Sequence, residues 1–282
     1  MDPASPATEK SISDEIRRNG ESDTGPDLSS VSSPVVLCYH AVSGSWPSPL
    51  AVRPEFLHRQ VSALIKRGYR GTRFTEAVTS NAGARVFAVT FDDSYASVAS
   101  LAFPVLARLG VPATIFMPTR ADRNGFRDWE GIREWSATQW RDELKGASWS
   151  QLRELVAAGW EIGSHSRTHP DLTSITDAEL RDELEGSRDD CEAELGVRCS
   201  SIAYPYGLVD HRVVEAARQT GYCAGAALAV EGVRGGARQP LCWPRLAVYR
   251  GDGPARFWAK RQAFTHAPRL LEELNRLRGL RT

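Results

Sequence analysis

The sequence has no excess of charge of either sign. Lys and Arg together number 35, as do Asp and Glu, so the formal net charge is zero. Proteins that bind nucleic acid usually carry a basic excess, so the composition predicts no nucleic-acid partner. No run of about 18 apolar residues is present, which predicts that no segment spans a membrane. Residues 1–34 also lack the apolar core of a signal peptide, and these absences together favour a cytoplasmic protein.

Cysteine is scarce and dispersed, with five residues and no Cys-x-x-Cys pair. This spacing argues against both a structural zinc cluster and a disulfide framework. The pattern is more typical of reduced thiols in a cytosolic protein.

The distribution of apolar residues predicts one folded domain. Residues 1–33 are polar and rich in Ser, Asp and Pro, which predicts a disordered leader. Residues 34–282 alternate short apolar runs with helical patterns, and residues 86–91 are typical of a parallel strand buried on both faces. About six or seven such units predict an α/β barrel that need not be complete. Residues 120–147, which hold three tryptophans, interrupt this rhythm and are interpreted as an insertion.

Two adjacent aspartates, Asp92 and Asp93, follow the strand predicted at 86–91. The C-terminal ends of strands form the active face of α/β folds. Neighbouring strand residues point to opposite faces, so both carboxylates reach one site only if the chain turns there. The alternative is that one of them caps the next helix.

Two histidines four residues apart, His165 and His169, follow another short strand. On a helical turn they would share one face, and imidazole nitrogens bind zinc at about 2.0–2.1 Å. With Asp93 they would form a site with open positions for water and substrate. The predicted cofactor is a divalent metal, with Zn²⁺ as the first choice over iron, cobalt or nickel. The alternative is two unrelated surface histidines.

Three motifs, in this order, resemble those of the polysaccharide deacetylase family, the NodB-homology domain. They are residues 90–93, 165–170 and 204–207, and the likeness extends over about residues 34–250. The resemblance implies a distorted (β/α)7-type barrel, the NodB-homology fold. It also implies a metal-dependent enzyme that removes the acetyl group from an N-acetylated sugar substrate.

The resemblance implies a role for each residue of these motifs. Asp92 matches the general base, and Asp93 with the two histidines matches the metal-binding set. Tyr206 matches the residue whose backbone N–H helps to hold the oxyanion. Tyr204, Pro205 and Tyr206 are the predicted substrate-binding residues.

The sequence departs from the family pattern at two of these motifs. Ser94 follows the aspartate pair where glycine is usual, a change that we expect to be tolerated. Ala203 stands where many members carry the arginine that orients the base. Arg245 is the candidate replacement, and the alternative is an ordinary surface arginine.

The late Leu-x-His motif that usually supplies the general acid is not evident, and His266 is interpreted as a loop histidine. A Tyr-His pair that ends at His40 resembles the opening of the circularly permuted subgroup, which includes poly-N-acetylglucosamine deacetylases. This likeness implies that His40 is the general acid. A nucleophilic Cys38–His40 pair is the alternative, which we disfavour because a buried strand cysteine usually acts as a small apolar residue.

The sequence leaves the substrate open. Trp129, Trp135 and Trp140 either stack on sugar rings or pack within the insertion. Hydrolysis of another amide, such as a formamide or a cyclic imide, is one alternative function. A catalytically silent sugar- or partner-binding domain is another, which the retained aspartates and histidines disfavour. The oligomeric state is not predicted.

Overall fold

Residues 34–80, 85–228 and 239–266 are described by a computed structural model, in which parallel strands alternate with helices. The predicted leader, residues 1–33, lies outside the described residues. The strands of the main sheet are β1 (Val35–Tyr39), β2 (Arg70–Thr72), β3 (Val86–Phe91), β4 (Ala113–Met117), β5 (Glu161–Ser164), β6 (Ser201–Ala203), β7 (Ala224–Ala227), β8 (Trp243–Pro244) and β9 (Leu246–Ala247). The α-helices are α1 (Pro54–Ile65), α2 (Phe74–Thr79), α3 (Phe103–Arg108), α4 (Trp149–Ala157), α5 (Asp177–Leu195), α6 (His211–Thr220) and α7 (Pro254–His266).

The nine strands form one sheet in which the pairings are parallel. Its order is β8-β7-β6-β5-β4-β3-β1-β9, with β2 beside the first half of β3. Only Arg245 separates β8 from β9, so one short segment pairs with β7 at its start and with β1 at its end. This segment joins the two edges of the sheet, and the result is the predicted distorted (β/α) barrel.

The alternation of side chains along the strands divides the core into two clusters. The larger cluster packs between the sheet and the surrounding helices. The smaller cluster is rich in alanine, as the narrow interior of a small barrel requires. It consists of Val36, Phe74, Ala77, Val78, Val86, Ala88, Phe116, Ala203, Ala224, Ala226 and Trp243.

Helix α2 closes one end of the barrel, because it contacts both β3 and β7, which are not neighbours in the sheet. The inward rows of the strands lead to the other end. Ala88 belongs to the inner cluster, so Thr90 and Asp92 continue its row. By the same alternation, Cys38 and His40 continue the row of Val36 on β1.

Most of the long elements were predictable. The bounds of β3 are those predicted. Between β3 and β4 a π-helical turn, Val98–Ala102, leads directly into α3, which has Pro104 in its first turn. The loop predicted around His266 is wrong, since His266 is the last residue of α7. Pro254 at the first turn of this helix was the missed start signal. Among the described residues, no helix is long and apolar enough to cross a membrane, and the five cysteines are free.

Residues 120–147 form a β-hairpin followed by two short 3₁₀ turns. The hairpin pairs Asp122–Arg123 with Phe126–Arg127, and the turns are Arg133–Ala137 and Arg141–Leu144. The segment packs on the chain that follows β3, where Ala96 N–H donates to the Lys145 carbonyl over 2.8 Å. Its interpretation as an insertion stays a prediction.

Candidate active site

A pocket lies at the C-terminal ends of the parallel strands. Six of the predicted site residues share its wall: His40, Asp92, Asp93, His165, His169 and Tyr206. The rest of its lining is mostly apolar: Leu50, Trp129, Glu130, Gly131, Ile132, Gly207 and Leu228. The chain therefore gathers residues from distant motifs at the end of the barrel where α/β folds hold their active sites.

The two aspartates reach one pocket because the backbone turns sharply after β3. Asp93 has φ 66° and Ser94 has φ 49°, both in the left-handed region that L-residues rarely adopt. The turn is fixed from the 120–147 segment, where Ala147 N–H donates to the Ser94 carbonyl over 2.8 Å. The buried Arg127 guanidinium donates to the same carbonyl over 3.1 Å.

The left-handed conformation of Ser94 explains why glycine is usual at this position. Ser94 is fully buried, and its hydroxyl has no hydrogen-bond partner among the described residues. We expect Ser94→Gly to raise the free energy of unfolding by about 0.5–1 kcal/mol, because relief of the left-handed strain exceeds the greater backbone entropy of glycine. Thermal unfolding should show a midpoint about 2–4 °C higher.

Ser94→Ala is the control for this prediction, since it removes the hydroxyl and keeps the Cβ atom. A glycine variant no more stable than the alanine variant would show that backbone strain at this position is negligible.

Asp92 is held by a two-pronged ion pair with Arg245. The Nη1–Oδ1 and Nη2–Oδ2 distances are 2.6 and 2.7 Å, and both residues are buried. The Cys38 thiol lies 3.4 Å from Oδ2, and Arg245 also donates to the Thr90 hydroxyl over 3.1 Å. Burial raises the pKa of Asp92, but the charge and hydrogen bonds of Arg245, together with His165 and His40, outweigh burial and hold the pKa below its usual value. Asp92 is therefore ionised at neutral pH.

Arg245 lies between β8 and β9, where the sheet closes. Its backbone N–H donates to the Ala227 carbonyl on β7 over 3.0 Å, while its side chain points along the inner row toward β3. The alternative of a surface arginine is wrong, because only 2% of Arg245 is exposed. Closure of the barrel thus supplies the guanidinium that the third motif lacks at Ala203.

Asp93 faces the two histidines. Its Oδ1 atom lies 3.4 Å from Nε2 of His165 and 3.5 Å from Nε2 of His169. One ligand atom from each of the three residues lies within 4.8 Å of the others. Nδ1 of His165 is 2.8 Å from the Ala203 carbonyl, which requires a proton on Nδ1 and leaves the lone pair of the neutral ring on Nε2.

The protonation of these groups follows from burial and their mutual charges. Burial raises the pKa of Asp93, but the hydrogen bonds of the two imidazoles outweigh it and hold the pKa well below its usual value. Burial lowers the pKa of His165, but Asp93 and Asp92 outweigh it and the net shift is upward. For His169 burial prevails and the pKa is lowered. Asp93 thus stays ionised beside two imidazole nitrogens, and this donor set suits a cation.

The two histidines do not meet on a helical turn, as the sequence suggested. The segment from His165 to His169 is irregular, with left-handed φ values of 63° at Ser166 and 65° at His169. Two serine hydroxyls support it: Ser164 Oγ accepts from the Ser166 N–H over 3.0 Å, and Ser166 Oγ accepts from the His169 N–H over 3.1 Å. Hydrogen bonds from the two serine side chains, and not a helical turn, therefore hold both rings toward Asp93.

Glu183, which the sequence analysis missed, anchors the same loop from helix α5. Its Oε2 accepts from the backbone N–H groups of Arg167 and Thr168 over 2.7 and 2.9 Å, and Oε1 accepts from the Thr168 hydroxyl over 2.5 Å. The carboxylate is almost completely buried. Glu183 lies outside the motif and on another element, so no spacing pattern in the sequence could have identified it.

The ring of His169 packs between two aromatic side chains. The Trp129 ring stacks on it at 4.2 Å and 19°, and the Tyr206 ring lies edge-on at 4.8 Å and 70°. Trp135 packs edge-on against the buried Trp46, and Trp140 also packs against the core. Packing is thus the observed role of the three tryptophans in the 120–147 segment, although Trp129 also forms part of the pocket wall.

The third motif contributes one side chain to the pocket. Tyr206, with φ 59°, lines it, whereas Tyr204 and Pro205 do not. Tyr204 is fully buried and donates its hydroxyl to the Leu241 carbonyl over 2.8 Å. Tyr204 therefore has a structural contact here, and substrate contact through Tyr204 and Pro205 stays a prediction that the pocket lining does not support. The alternation of side chains along β6 could have predicted the burial of Tyr204. Ala203 faces the barrel interior, so the next residue, Tyr204, must face outward.

His40 enters the pocket from the end of β1 and is 4% exposed. Burial lowers the pKa of its imidazole although both aspartates oppose this, so the ring is neutral near pH 7. The Cys38 thiol behind it is buried, and burial raises its pKa well above the usual value. This argues against an activated Cys38 nucleophile, because a raised pKa keeps the thiol protonated.

Comparison with known proteins connects this pocket to one family. The family model of polysaccharide deacetylases matches residues 79–225, slightly more than half of the 282-residue chain. YxkH of Bacillus subtilis, which bears the name of a polysaccharide deacetylase, is 25% identical over 195 residues, or 67% of this chain. The match spans 62% of the length of YxkH, less than two thirds of that protein.

Two solved structures share the fold at low identity. The Streptococcus pyogenes deacetylase PplD in complex with acetate has a TM-score of 0.65 and 22% identity, over 82% of this chain and 98% of PplD. IcaB from Ammonifex degensii has a TM-score of 0.64 and 24% identity, also over 82% of this chain and 98% of IcaB. The matched family region includes all three motifs of the pocket, and the chain belongs to the polysaccharide deacetylase family, the NodB-homology domain.

Proposed function

We propose that this chain is a metal-dependent hydrolase that removes the acetyl group from the nitrogen of an amino sugar. One observation carries the proposal: a possible metal-binding group, Asp93, His165 and His169, lies in the same pocket as a carboxylate, Asp92, that is fixed by Arg245. A cation site beside a positioned base is the arrangement that hydrolysis of an unactivated amide requires.

The donor set supports a divalent ion, with Zn²⁺ as the first choice. Two imidazole nitrogens and one carboxylate oxygen are ordinary zinc ligands, and such a set leaves positions for water and substrate. The bond from His165 to the Ala203 carbonyl directs the second ring nitrogen toward Asp93, as partners behind metal ligands commonly do. When bound, the ion would acidify water and polarise the amide carbonyl.

The protein groups then divide the proton transfers. Asp92 accepts the proton of the attacking water, and Arg245 holds its carboxylate in place. The backbone N–H of Tyr206 helps to stabilise the negative oxygen of the tetrahedral intermediate. His40 protonates the departing nitrogen, because an amide anion is too poor a leaving group to depart alone. Acetate and the free amine leave the site.

The proton that His40 donates has a source within the site. The resting imidazole is neutral, so it must gain a proton before it can act as an acid. A carboxylate oxygen of Asp92 lies within 4.8 Å of a His40 ring nitrogen, and Asp92 has just taken the proton of water. We therefore assign the route from water to Asp92, then to His40, then to the amine.

Acetate release in the presence and absence of metal tests the function. The protein is stripped with a chelator, reloaded with Zn²⁺ and incubated with N-acetylglucosamine oligomers. We expect acetate only from the reloaded protein. Equal rates with and without metal would contradict the metal dependence, and metal-bound protein that releases no acetate from any acetylated sugar would contradict the substrate class.

The alternative functions correspond to other outcomes of the same assay. Release of formate from formylated sugars, or opening of a cyclic imide, would identify a different amide. Metal binding with no hydrolysis of any amide would favour a silent binding domain. A cytoplasmic location stays a prediction, and it would favour a soluble or lipid-linked sugar intermediate over finished cell wall.

Removal of the Glu183 anchor is expected to weaken metal binding. In Glu183→Ala the loop that carries His169 loses the three hydrogen bonds that Glu183 accepts. The two imidazole rings are then no longer held near Asp93 before the metal binds. We expect the affinity for Zn²⁺ to fall by about 10–100-fold, the usual effect of losing a partner behind the ligands.

Competition with a coloured zinc chelator measures the affinity of this variant. Glu185→Ala, an exposed position on the same helix, is the matched control and should bind zinc as the unaltered protein does. If both variants bind alike, Glu183 does not position the histidines.

A further inference from the structure

A second group of potential metal ligands lies beside the proposed metal site. One ligand atom from each of Cys38, His40 and Asp92 lies within 4.8 Å of the others, and all three residues are buried. Sulfur, imidazole and carboxylate are together an attractive set for zinc or cobalt. By donor chemistry alone, this group would compete for the ion with the group around Asp93.

The two groups differ in the charge next to them. Asp92 already has a cation, because the Arg245 guanidinium contacts both of its carboxylate oxygens. Asp93 has the two imidazoles as its partners and forms no ion pair with Lys or Arg in the part of the chain that the structure describes. Among the described residues Asp93 therefore has no guanidinium or ammonium partner, whereas Asp92 and Arg245 neutralise each other.

We propose that Arg245 acts as a resident cation that keeps a divalent ion out of the Cys38–His40–Asp92 group and so directs the ion to the Asp93 group. Like charges a few ångströms apart repel strongly in a buried environment. The guanidinium also uses the oxygens with which Asp92 would bind a metal. This role rests on the proposed metal-dependent function and is distinct from the orientation of the base.

The proposal predicts what happens when the positive charge is removed. A divalent ion would then enter the vacated position and bind the Asp92 carboxylate, a His40 nitrogen and the Cys38 sulfur. A sulfur–metal bond forms as the S–H bond breaks, and the proton leaves to solvent. The thiolate and the carboxylate together balance the charge of the ion.

Titration of the metal-free protein with Co²⁺ tests the proposal, because a thiolate ligand gives cobalt a charge-transfer absorption band. The unaltered protein should bind one Co²⁺ per chain without this band, since the Asp93 group has no sulfur. Arg245→Met should bind a second Co²⁺ at least ~100-fold more tightly than the unaltered protein does, and the band should appear.

Two further variants identify the cause. Arg245→Lys keeps the charge and should show no band. Arg245→Met combined with Cys38→Ser should lose the band, which separates Cys38 from the other four cysteines. Arg245→Gln replaces the methionine variant if that protein does not fold.

The outcomes separate this proposal from the proposed function. A neutral variant that binds one ion without a sulfur band overturns the exclusion role alone, as does a sulfur band in the unaltered protein. Unaltered protein that binds no Co²⁺ overturns the metal-dependent function itself.

Discussion

Replacement of Asp92 by asparagine is expected to lower kcat for acetate release by about 10²–10⁴-fold, the usual contribution of a positioned general base. Asparagine keeps the shape of the side chain but cannot accept the proton of water. The metal should remain, because Asp93 and the two histidines are unchanged. Initial rates with N-acetylglucosamine oligomers, together with zinc content, measure both effects.

The interpretation of this variant depends on its stability. Asp92→Asn leaves the buried Arg245 without its counter-ion, and such a loss typically costs about 3–5 kcal/mol. Rates are therefore compared below the onset of thermal unfolding. Asp142→Asn, at a position where 79% of the side chain is exposed, is the control and should retain full activity. A near-normal rate in Asp92→Asn would mean that another group removes the proton.

Loss of His165 is expected to abolish both metal binding and activity. His165→Ala removes one of three proposed ligands and also the hydrogen bond from the ring to the Ala203 carbonyl. We expect the zinc content after gel filtration to fall from about one ion per chain to background, with hydrolysis falling by at least ~10³-fold.

The matched control for this variant is His58→Ala, since His58 is exposed on helix α1. It should keep its metal and its rate. Full zinc content in His165→Ala would remove His165 from the ligand set, and loss of zinc in both variants would point to general damage rather than to a ligand.

Long apolar elements could be predicted from the sequence, and short ones could not. Val86–Phe91 is six buried residues long, so its pattern is visible without the fold. The strand Arg70–Thr72 is three residues long and contains no large apolar side chain, so its pairing with β3 depends on the rest of the barrel. The same holds for the two-residue strands on either side of Arg245.

The identity of the site residues was easier to predict than the reason for their convergence. The motifs located Asp92, Asp93 and the histidines because Asp92 and His165 each directly follow a strand. The left-handed turns that aim them, and the support from Glu183 and Arg127, involve contacts between distant elements. Such contacts leave no spacing pattern in the chain.

The joining of β7 to β1 has a consequence for biosynthesis. Arg245 lies 153 positions after Asp92. At a translation speed of about 5–20 residues per second, Asp92 is synthesised roughly 8–30 s before Arg245. A nascent chain in that interval cannot yet have the counter-ion that fixes the proposed base. Closure of the barrel also brings the guanidinium to the proposed base, so we expect partly made chains to be inert toward amides.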